Sequence, residues 1–112
     1  MQIKIKRDGG DILIKEVIEC SGINKFLGLM FKQREKAPIL LFNIKNQAIH
    51  SLFVFFPFIA VWLDEANNTV GMGVVKPFKL HVKPKKPFFK LIEIPLNKKY
   101  KEVSEKLLNC RR

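Results

Sequence analysis

Apolar and charged residues alternate from Gln2 to Arg7, setting Ile3 and Ile5 between lysines at the period of a strand with one buried face. Asp8-Gly9-Gly10-Asp11 supplies turn chemistry, and Ile12 to Ile18 resumes the alternation, which predicts an opening hairpin. After Ser21-Gly22 the period changes. Ile23, Phe26, Leu27 and Met30 recur at helical spacing, with Ser21 placed to cap one or two helical turns over Ile23 to Phe31. Ala37-Pro38 restarts the chain, Ile39 to Ile44 has the length of a buried strand, and Lys45-Asn46-Gln47 turns it back.

The middle of the chain is the most apolar part. Ile49 to Phe56 and Phe58 to Leu63 are apolar at both parities, the signature of interior strands shielded on each side, with Pro57 marking a bend between them. Asp64-Glu65-Ala66-Asn67-Asn68 predicts a turn, Thr69 to Val75 a strand loosened by Gly71 and Gly73, and Lys76 to Pro87 a connection rich in proline and lysine. Lys90 to Ile94 makes the last strand, stopped by Pro95. From Lys98 to Asn109, Tyr100, Val103, Leu107 and Leu108 form the stripe of an amphipathic helix. The expected fold is therefore mainly β, a sandwich or closed barrel, with a short helix after the first hairpin and an amphipathic helix at the C-terminus.

A chain of 112 residues suits a single domain, 1–112, with one core. The apolar run from Leu52 to Leu63 is too short for a membrane helix, which needs roughly 20 residues, and Pro57 interrupts it. The alternating first residues lack the apolar stretch of a secretory signal, so a cytoplasmic location is expected. Cys20 and Cys110 stand far apart in no CxxC or Cys/His spacing, and adding His50 and His81 gives four scattered singles rather than paired zinc ligands. Free thiols, no metal and no cofactor are the expectation. Val-Gly-Met-Gly-Val around Gly71 and Gly73 lacks the third glycine of a dinucleotide fingerprint.

The net charge of +11 suits a polyanionic partner. The excess is mostly lysine, in a chain also rich in Ile, Phe and Asn, a bias that an A/T-rich coding sequence would produce unaided. From Ala66 to Ile92 there are Lys76, Lys79, Lys83, Lys85, Lys86 and Lys90 and no acidic residue, interleaved with Phe78, Phe88 and Phe89. Lysines on phosphates and aromatics on bases are how sequence-tolerant single-strand binders work. The competing reading is a solvated loop whose phenylalanines tuck into the core.

His50, Ser51 and Glu93 are the residue types of a hydroxyl nucleophile, its base and an orienting acid. Neighbours on a strand point to opposite faces, so His50 and Ser51 cannot pair without a bulge, and a hydrolase is disfavoured. The plainer reading of His50 is a half-buried ring hydrogen-bonded to backbone. Glu93 lies opposite Ile92 and Ile94 by alternation, so it is expected to face solvent, with a cleft carboxylate near Lys76 as the alternative.

Three blocks occur in order: Phe26-Leu27-Gly28-Leu29-Met30-Phe31-Lys32, Ile49-His50-Ser51-Leu52-Phe53 running through Phe56-Pro57-Phe58-Ile59 to Leu63-Asp64, and Leu91-Ile92-Glu93-Ile94-Pro95. Together, over roughly Asn24 to Leu96, they resemble the domain of unknown function 192 family of small prokaryotic proteins. The matching positions are Gly28, Met30, His50, Ser51, Pro57, Asp64, Lys76, Pro77 and Glu93. The chain departs from the family's habits at Val54, at Ala60 where relatives usually carry an aspartate, and at Asn97-Lys98-Lys99. The resemblance implies a jelly-roll-like sandwich and supplies no function. The functional expectation is a binding or accessory module with a cleft for a small polar or anionic ligand at His50, Ser51, Lys76 and Glu93. The alternative is a polyanion binder acting through Lys79, Lys83, Lys85, Lys86 and Lys90.

Overall fold

The opening alternation folds into a hairpin, in which β1 (Ile3–Arg7) pairs antiparallel with β2 (Gly10–Ile14), Ile3 opposite Ile14 and Ile5 opposite Ile12. The structure, a computed structural model, describes residues 1–7, 10–20, 28–79 and 81–109. Asp8 and Gly9 of the expected turn, residues 23–27 of the helix expected over Ile23 to Phe31, its Ser21 cap, and Cys110 lie outside the described residues. Residues 28–31 form a turn.

The strand expected from Ile12 to Ile18 is two strands. Glu16 adopts a left-handed φ of 58° and breaks the run, so β3 (Val17–Cys20) leaves the hairpin and pairs in parallel with β4 (Ile39–Phe42). β4 pairs antiparallel with β7 (Lys90–Pro95), β7 with β5 (Phe58–Leu63), and β5 with β6 (Thr69–Val75). The resulting five-stranded sheet runs β3-β4-β7-β5-β6. It is open at β3 and β6 among the described residues, so the barrel alternative is set aside.

Period-two patterning sorts this sheet into two cores. Ile39, Leu41, Ile59, Val61, Leu63, Ile92 and Ile94 meet the hairpin isoleucines together with Tyr100 and Leu107, which brings the helix α1 (Lys101–Asn109) onto that face. The helix begins three residues later than its stripe suggests. Before it, buried Asn97 accepts the Tyr100 N–H at 3.1 Å and donates to the Arg34 carbonyl at 2.7 Å, in the manner of a cap.

The opposite parity, Leu40, Phe42, Phe58, Ala60, Trp62 and Leu91, makes the second core. No second sheet covers it among the described residues. Its lid consists of connections, through Leu29, Val54, Phe56 and Phe88. The strand expected over Ile49 to Phe56 is therefore absent. Only Ile49 forms an isolated bridge, to Val82, and Phe53 has a left-handed φ of 63° that no strand accommodates. Among the described residues no helix is long and apolar enough to cross a membrane.

Candidate functional site

Glu93 is the residue that the sheet places unexpectedly. Its alternation is as read, opposite Ile92 and Ile94, but that side of the sheet is the second core and the carboxyl is only 6 % exposed. The expectation that Glu93 faces solvent is thus corrected: the long connections, not water, cover its face. Its cross-strand neighbours are Leu40 and Ala60. Ala60, one of the positions where the chain departs from the resembled family, sets a methyl beside the carboxyl.

Glu93 forms part of the wall of a cavity of about 250 Å³. Leu29, Met30, Phe42, Ile44, Ala48, Ile49, Val54 and Leu91 make the apolar lining, and Gln47, His50 and Glu93 bring the polar side chains. Gly28 closes one side, and its left-handed backbone, rather than a lack of room, is what favours glycine there. Its φ is +48°, and a Cβ there would stand 3.4 Å from Phe42 Cζ and 3.6 Å from Glu93 Oε1.

No hydrogen bond or ion pair to the Glu93 carboxyl is found among the described residues. Loss of water alone pushes its pKa from 4.5 up to about 8, so it holds its proton at neutral pH. Cys20, a buried free thiol at the end of β3, is raised by burial first and then by Glu93, with Lys32 acting the other way. Cys20 is therefore a poor nucleophile.

The remaining sequence candidates separate. His50 is exposed, at the cavity's rim, rather than a half-buried ring on a strand. Ser51 is fully buried and turned away from catalysis: its Oγ donates to the Lys76 carbonyl and accepts the Lys79 N–H, each at 2.7 Å, while its backbone pairs with Phe78 and Lys79. Ser51 fastens the segment 76–79 to the segment 51–54. The Lys76 side chain is exposed and does not line the cavity.

Asp64 is a turn-former. It accepts the Asn68 side-chain amide and the backbone N–H groups of Asn68 and Ala66, and these bonds, the Asn68 side chain first, hold its carboxyl below the usual range. Of the basic stretch, Lys79, Lys83, Lys85 and Lys86 are exposed, whereas half-buried Lys90 donates to Asn67 Oδ1 at 2.7 Å. Phe88 is buried against Trp62 and Phe89 is half-buried beneath Lys45.

Sequence reasoning passed over Phe42 and Gln47, because a cavity wall assembled from a strand and two connections leaves no local signature. No family model matches the chain. A UPF0127 protein of Pyrococcus furiosus is 29% identical over 90 residues, which cover 78% of this chain and 77% of the relative. UPF0127 is another designation of the domain of unknown function 192 family, so the relative carries the name that the three sequence blocks suggested. A solved protein of unknown function from Novosphingobium aromaticivorans superposes with a TM-score of 0.63 over 92% of this chain and 77% of that one, at 12% identity. That likeness bears on the fold alone.

Proposed function

We propose that the chain is a member of that family and acts as a small non-enzymatic binding or accessory module, whose ligand occupies the cavity and meets Glu93 at its inner wall. The single observation that carries this is a buried carboxyl on the wall of a mostly apolar cavity with no partner among the described residues. A neutral carboxylic acid both donates and accepts a hydrogen bond, and in a dry apolar setting either bond is strong. Ligand pockets are mostly apolar with a few convergent polar groups, as here.

The lining also narrows the ligand class. Among the described residues no lysine lines the cavity wall, so a free anion is less well served there than a small molecule with an apolar body and one hydrogen-bonding head. Size supports this, since an apolar cavity of about 150 Å³ already holds benzene. A hydrolase reading gains nothing, because the Ser51 hydroxyl is committed to backbone groups.

Benzamide and benzoate share a body and differ in charge. Titrated against the labelled protein at neutral pH, benzamide should shift the backbone amide resonances of Gly28, Leu29 and His50, and benzoate should not. Stronger shifts with benzoate, or none near the cavity with either, would sink the reading.

The polyanion reading is kept for one observation: Lys79, Lys83, Lys85 and Lys86 all stay exposed on a segment without carboxylates. With about 0.7 of log-log salt slope per phosphate contact on single strands, reversing Lys83, Lys85 and Lys86 together should flatten the slope for single-stranded RNA by about 2. Lys90→Ala should leave it unchanged, because its Nζ is held by Asn67. An unchanged slope in the triple variant removes this reading.

A further inference from the structure

Four phenylalanines that a soluble core would be expected to absorb lie together on the surface. Phe31 is 66%, Phe53 51%, Phe55 58% and Phe78 60% exposed. They touch one another: Phe31 stacks on Phe53 with centroids 5.3 Å apart, Phe31 lies 6.5 Å from Phe55, and Phe55 meets Phe78 edge-on at 6.0 Å. Three separate segments of chain thus contribute to one continuous apolar patch.

The patch is held in place by backbone, not by burial. The Phe31 N–H donates to the Phe53 carbonyl at 3.0 Å, and the Phe78 N–H to the Ser51 carbonyl at 2.9 Å, beside the buried Ser51 hydroxyl clasp. Phe31, Phe53 and Phe78 have φ of 63°, 63° and 66°. A bulky residue in the left-handed region is an outlier that persists only where its surroundings insist on it. Three such residues, all aromatic and all exposed, mark a surface whose shape is specified.

Its electrostatic setting is one-sided. Segments 28–34, 45–58 and 66–92 contain no aspartate or glutamate, and exposed Lys76 and Lys79 flank Phe78. The patch sits at the Phe58/Val75 end of the β5–β6 pair, and the acidic Asp64-Glu65 turn is at the other end. Glu35, the nearest carboxylate in sequence to Phe31, is taken up by the Lys98 N–H at 3.0 Å.

We propose that Phe31, Phe53, Phe55 and Phe78 form a docking surface for an anionic lipid bilayer, the rings entering the headgroup boundary while Lys76 and Lys79 meet lipid phosphates. Protruding apolar rings with adjacent cations are what interfacial binding requires. Two other occupants fit less well. A second copy in a two-fold contact would bring Lys76 and Lys79 against their own mates, with no carboxylate on these segments to receive them. Nucleic-acid bases need open ring faces, and Phe31 and Phe53 occupy one face of each other.

The test is flotation of the full chain with phosphatidylcholine vesicles, with and without phosphatidylglycerol, over a salt series. Binding is expected only to the anionic vesicles and should weaken with salt. Phe53→Asn and Phe78→Asn place a residue that tolerates the left-handed backbone, so folding is preserved, and each should weaken binding about tenfold. Lys76→Glu and Lys79→Glu should each weaken it about fivefold or more. Three results overturn the proposal: no binding to anionic vesicles; binding insensitive to the phenylalanine substitutions; or self-association or RNA binding, in place of vesicle binding, that these substitutions abolish. A melting temperature within a few degrees of the parent's confirms that each variant is folded.

Discussion

Raising the pH from about 5 to about 8 should destabilise the fold, and replacing Glu93 by glutamine should remove most of that dependence. The folded carboxyl has a pKa of about 8, against 4.5 where water reaches it. Between those values the folded chain holds a proton that the unfolded chain has lost. Stability is therefore full below about 4.5 and declines as pH climbs toward 8, above which both states are ionised and the slope vanishes. Each pH unit in that window is worth about 1.4 kcal/mol, so two units near neutrality correspond to roughly 3 kcal/mol. For a chain of this size that is a substantial part of a total of about 5–15 kcal/mol.

Glutamine is nearly isosteric with glutamic acid and is neutral throughout. Glu93→Gln should match the parent near pH 5 and exceed it near pH 8 in urea midpoint, with similar m-values. Parallel pH curves for the two proteins would mean that the carboxyl is not kept protonated by burial. The same measurement bears on the cavity: a neutral ligand that takes a hydrogen bond from the acid should bind less well as pH rises through about 8.

Glu93 shows where local pattern stops. Its parity against Ile92 and Ile94 was legible, as were the hairpin, β5, β6, β7 and the helix stripe of Tyr100, Val103, Leu107 and Leu108. Parity says which residues share a face and nothing about what lies over that face. Here the cover is irregular chain, Leu29, Val54, Phe56 and Phe88, whose positions depend on hydrogen bonds between distant segments such as Ser51 with Lys79. The segment Ile49 to Phe56 reads as a strand because apolar residues occupy both of its alternating faces. In the structure its phenylalanines divide: Phe56 is in the core, while Phe53 and Phe55 join the surface patch. An apolar run is equally compatible with being buried on both sides and with being half offered to a partner. The parallel pairing of β3 with β4 was also beyond local pattern, because no turn joins the two strands to fix it.

Phe88→Ala should cost about 3–5 kcal/mol, the range for removing a large buried aromatic, whereas Phe89→Ala next to it should cost far less. Phe88 is 0% exposed and meets Trp62 edge-on at 6.3 Å. What decides the size of the effect is how far the vacated space can close. The backbone at Phe88 is fixed on both sides by Asn46, whose Oδ1 accepts the Phe88 N–H at 2.8 Å and whose N–H donates to the Phe88 carbonyl at 3.1 Å. The next residue's N–H is held by the Leu63 carbonyl at 2.9 Å. With the chain pinned in this way, β5 and the 76–89 connection cannot draw together, so most of the cavity should remain. Half-buried Phe89 lies under the Lys45 ammonium, 5.1 Å from the ring centroid, and its loss opens space to water rather than a void. Urea unfolding of both variants distinguishes these cases. If Phe88→Ala falls within about 1 kcal/mol of the parent, the connection is a loose cover over the second core rather than a pinned one.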